Sequence, residues 1–235
     1  MHARREQIFN LPIVTKTLII VLAATQLVVA YGPLEFSNWL LTTFAFIPAR
    51  VTLEGGAEYT TMLTYFFLHG DWTHLIVNAL ALAAFGTPVE RRFGSAGYLL
   101  FLAASAFAGA LLFLALHPYE IAPVVGASGA ISGTMGAIVR FAFTPGARLA
   151  DKRRSPGTPY DEESHSTSLS QLHLNRQAMF FLLAWLAVNV LLGVFPQAVG
   201  ISSAIAWEAH VGGFLFGLLF FSFFDRAGRH ALSSQ

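Results

Sequence analysis

The chain has 235 residues, of which 55% are hydrophobic and 11% charged, less than half the roughly 25% charged fraction usual in soluble domains. That composition excludes an ordinary water-soluble globule; a net charge of +1 says little about nucleic acid, and none is expected as a partner. The sequence contains no Cys, which excludes disulfides, thiolate catalysis and a thiolate metal site.

Taken in chain order, the stretch Met1 to Lys16 is basic and has no small-residue cleavage site before a long apolar run. Residues 1–12 are therefore expected to be a cytoplasmic segment, and Thr17 to Tyr31 part of a retained span. A hydropathy window of about 20 residues, shortened for polar, cavity-lining helices, predicts six transmembrane helices. They fall near residues 13–32, 72–88, 96–116, 127–144, 177–195 and 203–224. The expected fold class is an all-α polytopic membrane protein, a six-helix bundle within residues 13–225.

Between the first two spans, Gly32 to Asp71 carries Trp39-Leu40-Leu41, Phe44 to Ile47 and Tyr65-Phe66-Phe67. It is too apolar for an aqueous loop and is expected to lie partly in the membrane interface. Pro145 to Arg176 has the opposite character, with Lys152-Arg153-Arg154, two prolines and Asp161-Glu162-Glu163. It reads as a flexible hydrophilic cytoplasmic loop, and residues 226–235 as a cytoplasmic tail.

The basic residues set the expected orientation. With the N-terminus inside and six spans, every Lys and Arg except Arg50 falls on the inner side or at its edge, thirteen of the fourteen in the chain. Helices 2, 4 and 6 then run from outside to inside, and His74, Asn78, Ser128 and His210 share a depth near their outer ends. An ionisable group retained in a membrane span is a functional candidate, and a hydroxyl that can pair with an imidazole suggests hydrolysis within the membrane.

The spacing within each helix adds detail. His74 and Asn78 lie one turn apart on one face, where both offer donors to a developing negative charge. Ser128 opens helix 4, whose first N–H groups and dipole also favour an oxyanion, and Gly126 and Gly129 permit close backbone approach there. Gly213 and Gly217 form a small-residue face for close helix packing.

Plainer readings compete. Gly126, Gly129, Gly133 and Gly136 also fit a packing stripe, and His210 also fits a simple interhelical hydrogen bond; the conjunction of the motifs favours chemistry. Glu208 lies about 200° around the helix from His210, so a dyad is expected and Glu208 is assigned to a cavity rim. His69 is read as structural, Asn189 as an interhelical hydrogen bond, and Glu90-Arg91-Arg92 as an inner-loop charge cluster.

At these residues the chain resembles the rhomboid family of intramembrane serine proteases, over about Ile47 to Asp225. The resemblance rests on His69-Gly70-Asp71-Trp72-Thr73-His74-Leu75-Ile76-Val77-Asn78, then Val89-Glu90-Arg91-Arg92-Phe93-Gly94, Gly126-Ala127-Ser128-Gly129 and Ala209-His210-Val211-Gly212-Gly213. It implies Ser128 as nucleophile and His210 as general base, with His74, Asn78 and the Ser128 backbone N–H as oxyanion donors. It further implies a rhomboid-like six-helix bundle in a bacterial cytoplasmic (inner) membrane, transmembrane protein substrates, and neither cofactor nor metal; no oligomeric state is assigned. Helix 5 and the Phe195 to Glu208 loop become candidates for the mobile element.

Two positions depart from the family pattern. Ser132 stands where many members carry an aromatic residue, leaving open what packs against His210. Ile205 stands where a Gly is frequent, which predicts looser or locally different packing between helices 4 and 6. The alternative function is a catalytically silent membrane scaffold or chaperone that binds transmembrane helices. A transporter fits less well, because paired intramembrane carboxylates and inverted repeats are not seen.

Overall fold

The computed structural model describes residues 11–143, 166–195 and 205–233, with side chains described up to Asp225 in the last segment. Its regular elements in these residues are all helical, apart from one isolated antiparallel bridge between Phe46 and Val124. The α-helices are α1 (Ile13–Tyr31), α2 (Leu34–Phe44), α3 (Pro48–Leu53), α4 (Thr61–Thr64), α5 (Trp72–Ala81), α6 (Thr87–Leu116), α7 (Ser128–Phe141), α8 (Arg176–Val194) and α9 (Trp207–Ser233).

Among the described residues, four stretches are long and apolar enough to cross a membrane: Ile13–Tyr31, Trp72–Leu116, Arg176–Val194 and Trp207–Asp225. The second of these contains two predicted spans, divided at Gly94, whose φ of 72° interrupts the helix. Only glycine adopts such an angle without steric cost, and the chain doubles back there, since the Tyr98 hydroxyl lies against Gly86. A straight helix would hold residues 86 and 98 about 18 Å apart. The α7 helix has only 14 residues, about 21 Å. It is sheathed by neighbouring helices, with nearly every residue from Gly129 to Phe141 buried.

The second predicted span reaches further than expected. A π-helical turn, Leu82–Gly86, joins α5 to α6 immediately before Pro88, which lacks the N–H that would bond the Ala84 carbonyl. The helix then continues through Glu90-Arg91-Arg92, so these residues are not an inner-loop cluster. Glu90 is 3% exposed and accepts from the Val14 and Thr15 backbone N–H groups at 2.9 and 2.8 Å and from the Thr15 hydroxyl at 2.8 Å. The carboxylate thus satisfies donors that the first turn of α1 leaves unpaired. Arg92 grips Asp225 through two hydrogen bonds of 2.6 and 3.1 Å. Arg140, on α7, donates to the Leu218 carbonyl and the Ser222 hydroxyl of α9.

These ties gather at one end of the bundle. At the other end, the first residues of α5, α7 and α9 come together, so those three helices run in the same direction. The segment between α1 and α5 packs at this second end. Phe46 exchanges backbone hydrogen bonds with Val124, the Ala49 N–H donates to the Glu120 carbonyl, and the Thr52 hydroxyl donates to the Pro118 carbonyl. Residues 32–71 thus brace the loop that leads into Ser128.

Glycine sets the core spacing. A Cβ on Gly213 would strike the Gly129 carbonyl, one on Gly217 the Gly133 carbonyl, and one on Gly136 the Phe214 carbonyl. The looser α7–α9 packing expected from Ile205 is therefore not found, because glycines on both helices allow backbone-to-backbone contact. The outer surface displays Ile20, Leu27, Leu100, Phe180, Leu183, Phe220 and Phe223, an apolar exterior suited to hydrocarbon rather than water.

Predicted boundaries for the fifth span agree with α8 to one residue. The predicted loop 145–176 falls partly outside the described residues. Within its described end, Leu169–Leu174 forms a 3₁₀ turn, and the Thr167 N–H donates to the Arg140 carbonyl at 2.8 Å. The terminal segments 1–10 and 234–235, and residues 196–204 of the candidate mobile loop, lie outside the described residues.

Candidate active site

Ser128 is the first residue of α7. The preceding loop reaches it through Gly126, whose φ of 121° is unfavourable for any residue with a Cβ. The Gly126 N–H donates to the Tyr65 carbonyl at 3.0 Å, which fixes the turn against the segment preceding α5. His210 lies in the first turn of α9, and its Nε2 is 2.8 Å from the Ser128 hydroxyl. Residues 82 positions apart thus form a hydroxyl–imidazole pair, held by the glycine contact between α7 and α9.

His74 is set by the start of α5. Asp71 caps that helix by accepting from the His74 backbone N–H at 2.8 Å. The Gly70 N–H approaches His74 Nδ1 at 3.5 Å; a backbone N–H only donates, so Nδ1 is the acceptor and the proton of the neutral ring sits on Nε2. That nitrogen faces Gly126, where a Cβ would lie 2.7 Å from it and 3.7 Å from the Asn78 side-chain nitrogen. Two donors therefore converge on the chain two residues before Ser128.

Asn78 is 4% exposed, and its amide nitrogen has no hydrogen-bond partner among the described residues. An unsatisfied buried donor costs about 1–3 kcal/mol. The first N–H groups of α7, beginning at Ser128, lack intrahelical acceptors by position.

His69, read from sequence as structural, is 1% exposed and stands edge-on to His74 with ring centroids 5.0 Å apart. It precedes the apolar stretch, and burial together with the neighbouring His74 pushes its imidazole down to about 3. It is neutral at ordinary pH and walls the His74 ring without bringing a charge to the site. Glu208 turns away from His210 and meets His117, Oε1 to Nε2, at 2.9 Å. The helical offset anticipated that separation.

Asn189, on α8, makes the interhelical hydrogen bond expected of it, and its partner, which the sequence does not name, is the His210 ring, with Oδ1 2.8 Å from Nδ1. The imidazole is therefore met on both nitrogens, from α7 and from α8. A lone buried amide in an otherwise apolar helix was the available signal, but its partner depends on how α8 docks. With Ser132 in place of an aromatic residue after the nucleophile, the His210 ring is held from α8.

Sequence comparisons agree with this architecture. Residues 56–226 match the Rhomboid domain family. The chain is 38% identical over 103 residues to "Rhomboid protease GluP" of Bacillus subtilis (strain 168), covering 44% of this chain and 20% of that protein. It is 28% identical over 160 residues to "RHOMBOID-like protein 12, mitochondrial" of Arabidopsis thaliana, covering 65% and 43%. It is 30% identical over 183 residues to "RHOMBOID-like protein 4" of the same plant, covering 78% and 38%. In these three the chain spans between a fifth and about two-fifths of the relative's length. With the family match covering most of the chain and an apolar helical bundle around it, this multi-pass membrane protein belongs to the rhomboid family.

Proposed function

We propose that the protein is an intramembrane serine endopeptidase that cleaves membrane-anchored proteins in or near their transmembrane helices with a Ser128–His210 dyad. The observation carrying this reading is the 2.8 Å contact between the Ser128 hydroxyl and His210 Nε2, beside donors that lack an acceptor.

In this mechanism, His210 Nε2 takes the Ser128 proton as the hydroxyl attacks a substrate carbonyl, and later returns it to the leaving amine. The tetrahedral oxyanion forms where His74 Nε2, the Asn78 amide and the Ser128 backbone N–H converge. Donors already aimed at that charge stabilise it without having to reorganise as it forms. Water then hydrolyses the acyl-enzyme, with His210 again acting as base. A substrate helix has to unwind locally, because an intact helix engages its carbonyls in its own hydrogen bonds.

The reading places both termini on the cytoplasmic side of a bacterial inner membrane with six crossings, as the distribution of Lys and Arg suggests. The site then lies near the outer face, where polar groups at membrane depth line a water-accessible cavity.

The rival is a silent rhomboid-like scaffold that binds transmembrane helices. A serine-reactive fluorophosphonate probe and a reconstituted transmembrane substrate separate the two. Expected are covalent labelling and cleavage by the wild type, loss of both in Ser128→Ala, and retention of both in Ser132→Ala. Cleavage by a folded Ser128→Ala protein overturns the assignment.

A further inference from the structure

Building on the protease reading, we infer that Asn189 is a positioning residue that converts the dyad into a Ser128–His210–Asn189 relay without a carboxylate. The orientation of its amide follows from elementary hydrogen-bond rules. The Asn189 nitrogen lies 2.9 Å from the Trp185 carbonyl oxygen. A carbonyl only accepts, so the NH₂ end must face Trp185 and Oδ1 must face His210. Oδ1 also only accepts, so the proton facing it sits on His210 Nδ1. In the neutral ring that leaves Nε2 without a proton, the form needed to accept from the Ser128 hydroxyl 2.8 Å away. The chain of bonds from Trp185 to Ser128 therefore fixes both the tautomer and the rotation of the imidazole.

The choice of residue fits the setting. A carboxylate there would carry charge into an apolar helix at considerable cost, whereas an amide supplies the same acceptor while remaining neutral. Asn189 is 6% exposed and, with Ala178, one of two buried residues on α8. Only 11% of the most apolar stretch of α8 is buried, against 39% for Trp72–Leu116. The helix docks through Asn189 on His210, Trp185 stacked on Phe214 with centroids 4.0 Å apart, and Trp207 packed over Gly193. Alignment of the base therefore depends on α8 being seated, and the most lightly embedded of these helices carries the residue that holds the tautomer.

The test uses the full-length protein in liposomes with one transmembrane substrate. It compares wild type, Ser128→Ala, Asn189→Leu and Asn189→Asp by steady-state kinetics from pH 5 to 9, with thermal unfolding measured alongside. Asn189→Leu should lower kcat by about 10- to 100-fold, part of the roughly 10²- to 10⁴-fold that a well-placed general base contributes, while KM changes less than about threefold. Asn189→Asp, which keeps an acceptor for Nδ1, should recover much of kcat. It should also move the acid limb of kcat/KM to higher pH by about one unit, because a nearby anion favours the protonated ring, which is inactive as a base. A purely packing role would alter melting and leave kcat equally low in both variants. Wild-type kcat in Asn189→Leu, or no recovery of kcat in Asn189→Asp, overturns the inference. Cleavage by Ser128→Ala would instead overturn the protease reading beneath it.

Discussion

Gly126 lies directly against the His74 ring: a Cβ at Gly126 would stand 2.7 Å from Nε2 and 2.8 Å from Cε1. The backbone angle that aims Ser128 and the His74 ring proposed as an oxyanion donor are therefore one steric unit. Gly126→Ala should strain the turn by about 1–3 kcal/mol and displace His74. Turnover is expected to fall at least tenfold, since displacements of about 1 Å in a site carry costs of that order or larger. Circular dichroism should show retained helix content, and wild-type turnover would show that the turn yields without disturbing His74.

The donors themselves can be separated from substrate binding. His74→Ala and Asn78→Ala should each lower kcat by more than they raise KM, with an upper range of about 2.7–4 kcal/mol for loss of one oxyanion donor. The unpartnered Asn78 nitrogen makes its variant the cleaner case, because truncation also removes a buried unsatisfied group. The Asn78→Ala protein is expected to melt no lower than wild type while turning over more slowly. Equal changes in kcat and KM would argue against the role.

Glu208 supplies the contrasting case. Its contact with His117 has 40% and 13% side-chain exposure on the two partners, the kind of pair that contributes about 0–1 kcal/mol. Glu208→Gln should keep kcat within about threefold of wild type, whereas His210→Ala should abolish cleavage. A loss in Glu208→Gln as severe as in His210→Ala would make the carboxylate part of the machinery.

His69 predicts an acid sensitivity of the fold. Its imidazole is held at about 3 in the folded protein, below the reference value of about 6.5 in an unfolded chain. Between those values the unfolded chain binds a proton that the folded one does not, so stability is fully present above pH 6.5 and declines as pH falls toward 3. His69→Phe should flatten the decline in melting temperature between pH 7 and pH 4. An unchanged slope would assign that sensitivity to other groups.

Much of the fold was legible along the chain because apolar length and helix periodicity are local properties. The stretches of α1, α8 and α9 announced themselves, and the polar residues His74, Asn78, Ser128 and His210 stood out against them. The i to i+4 spacing of His74 and Asn78, and the offset separating Glu208 from His210, needed only helix geometry. The charge cluster at Glu90-Arg91-Arg92 was misread because its meaning lies in distant partners: the start of α1 for Glu90, and Asp225 for Arg92.

Which groups were available is written along the chain: an apolar helical pattern, no thiol, a Ser flanked by Gly126 and Gly129, and a His above a glycine face. Which of them meet depends on packing. Asn189 and His210 stand 21 residues apart on different helices, and no local pattern encodes the rotation of α8 that brings Oδ1 within 2.8 Å of Nδ1. The 82-residue separation of Ser128 and His210 closes for a similar reason. Gly129, Gly133, Gly213 and Gly217 let α7 and α9 touch backbone to backbone, and that approach is a property of two packed surfaces rather than of either helix alone.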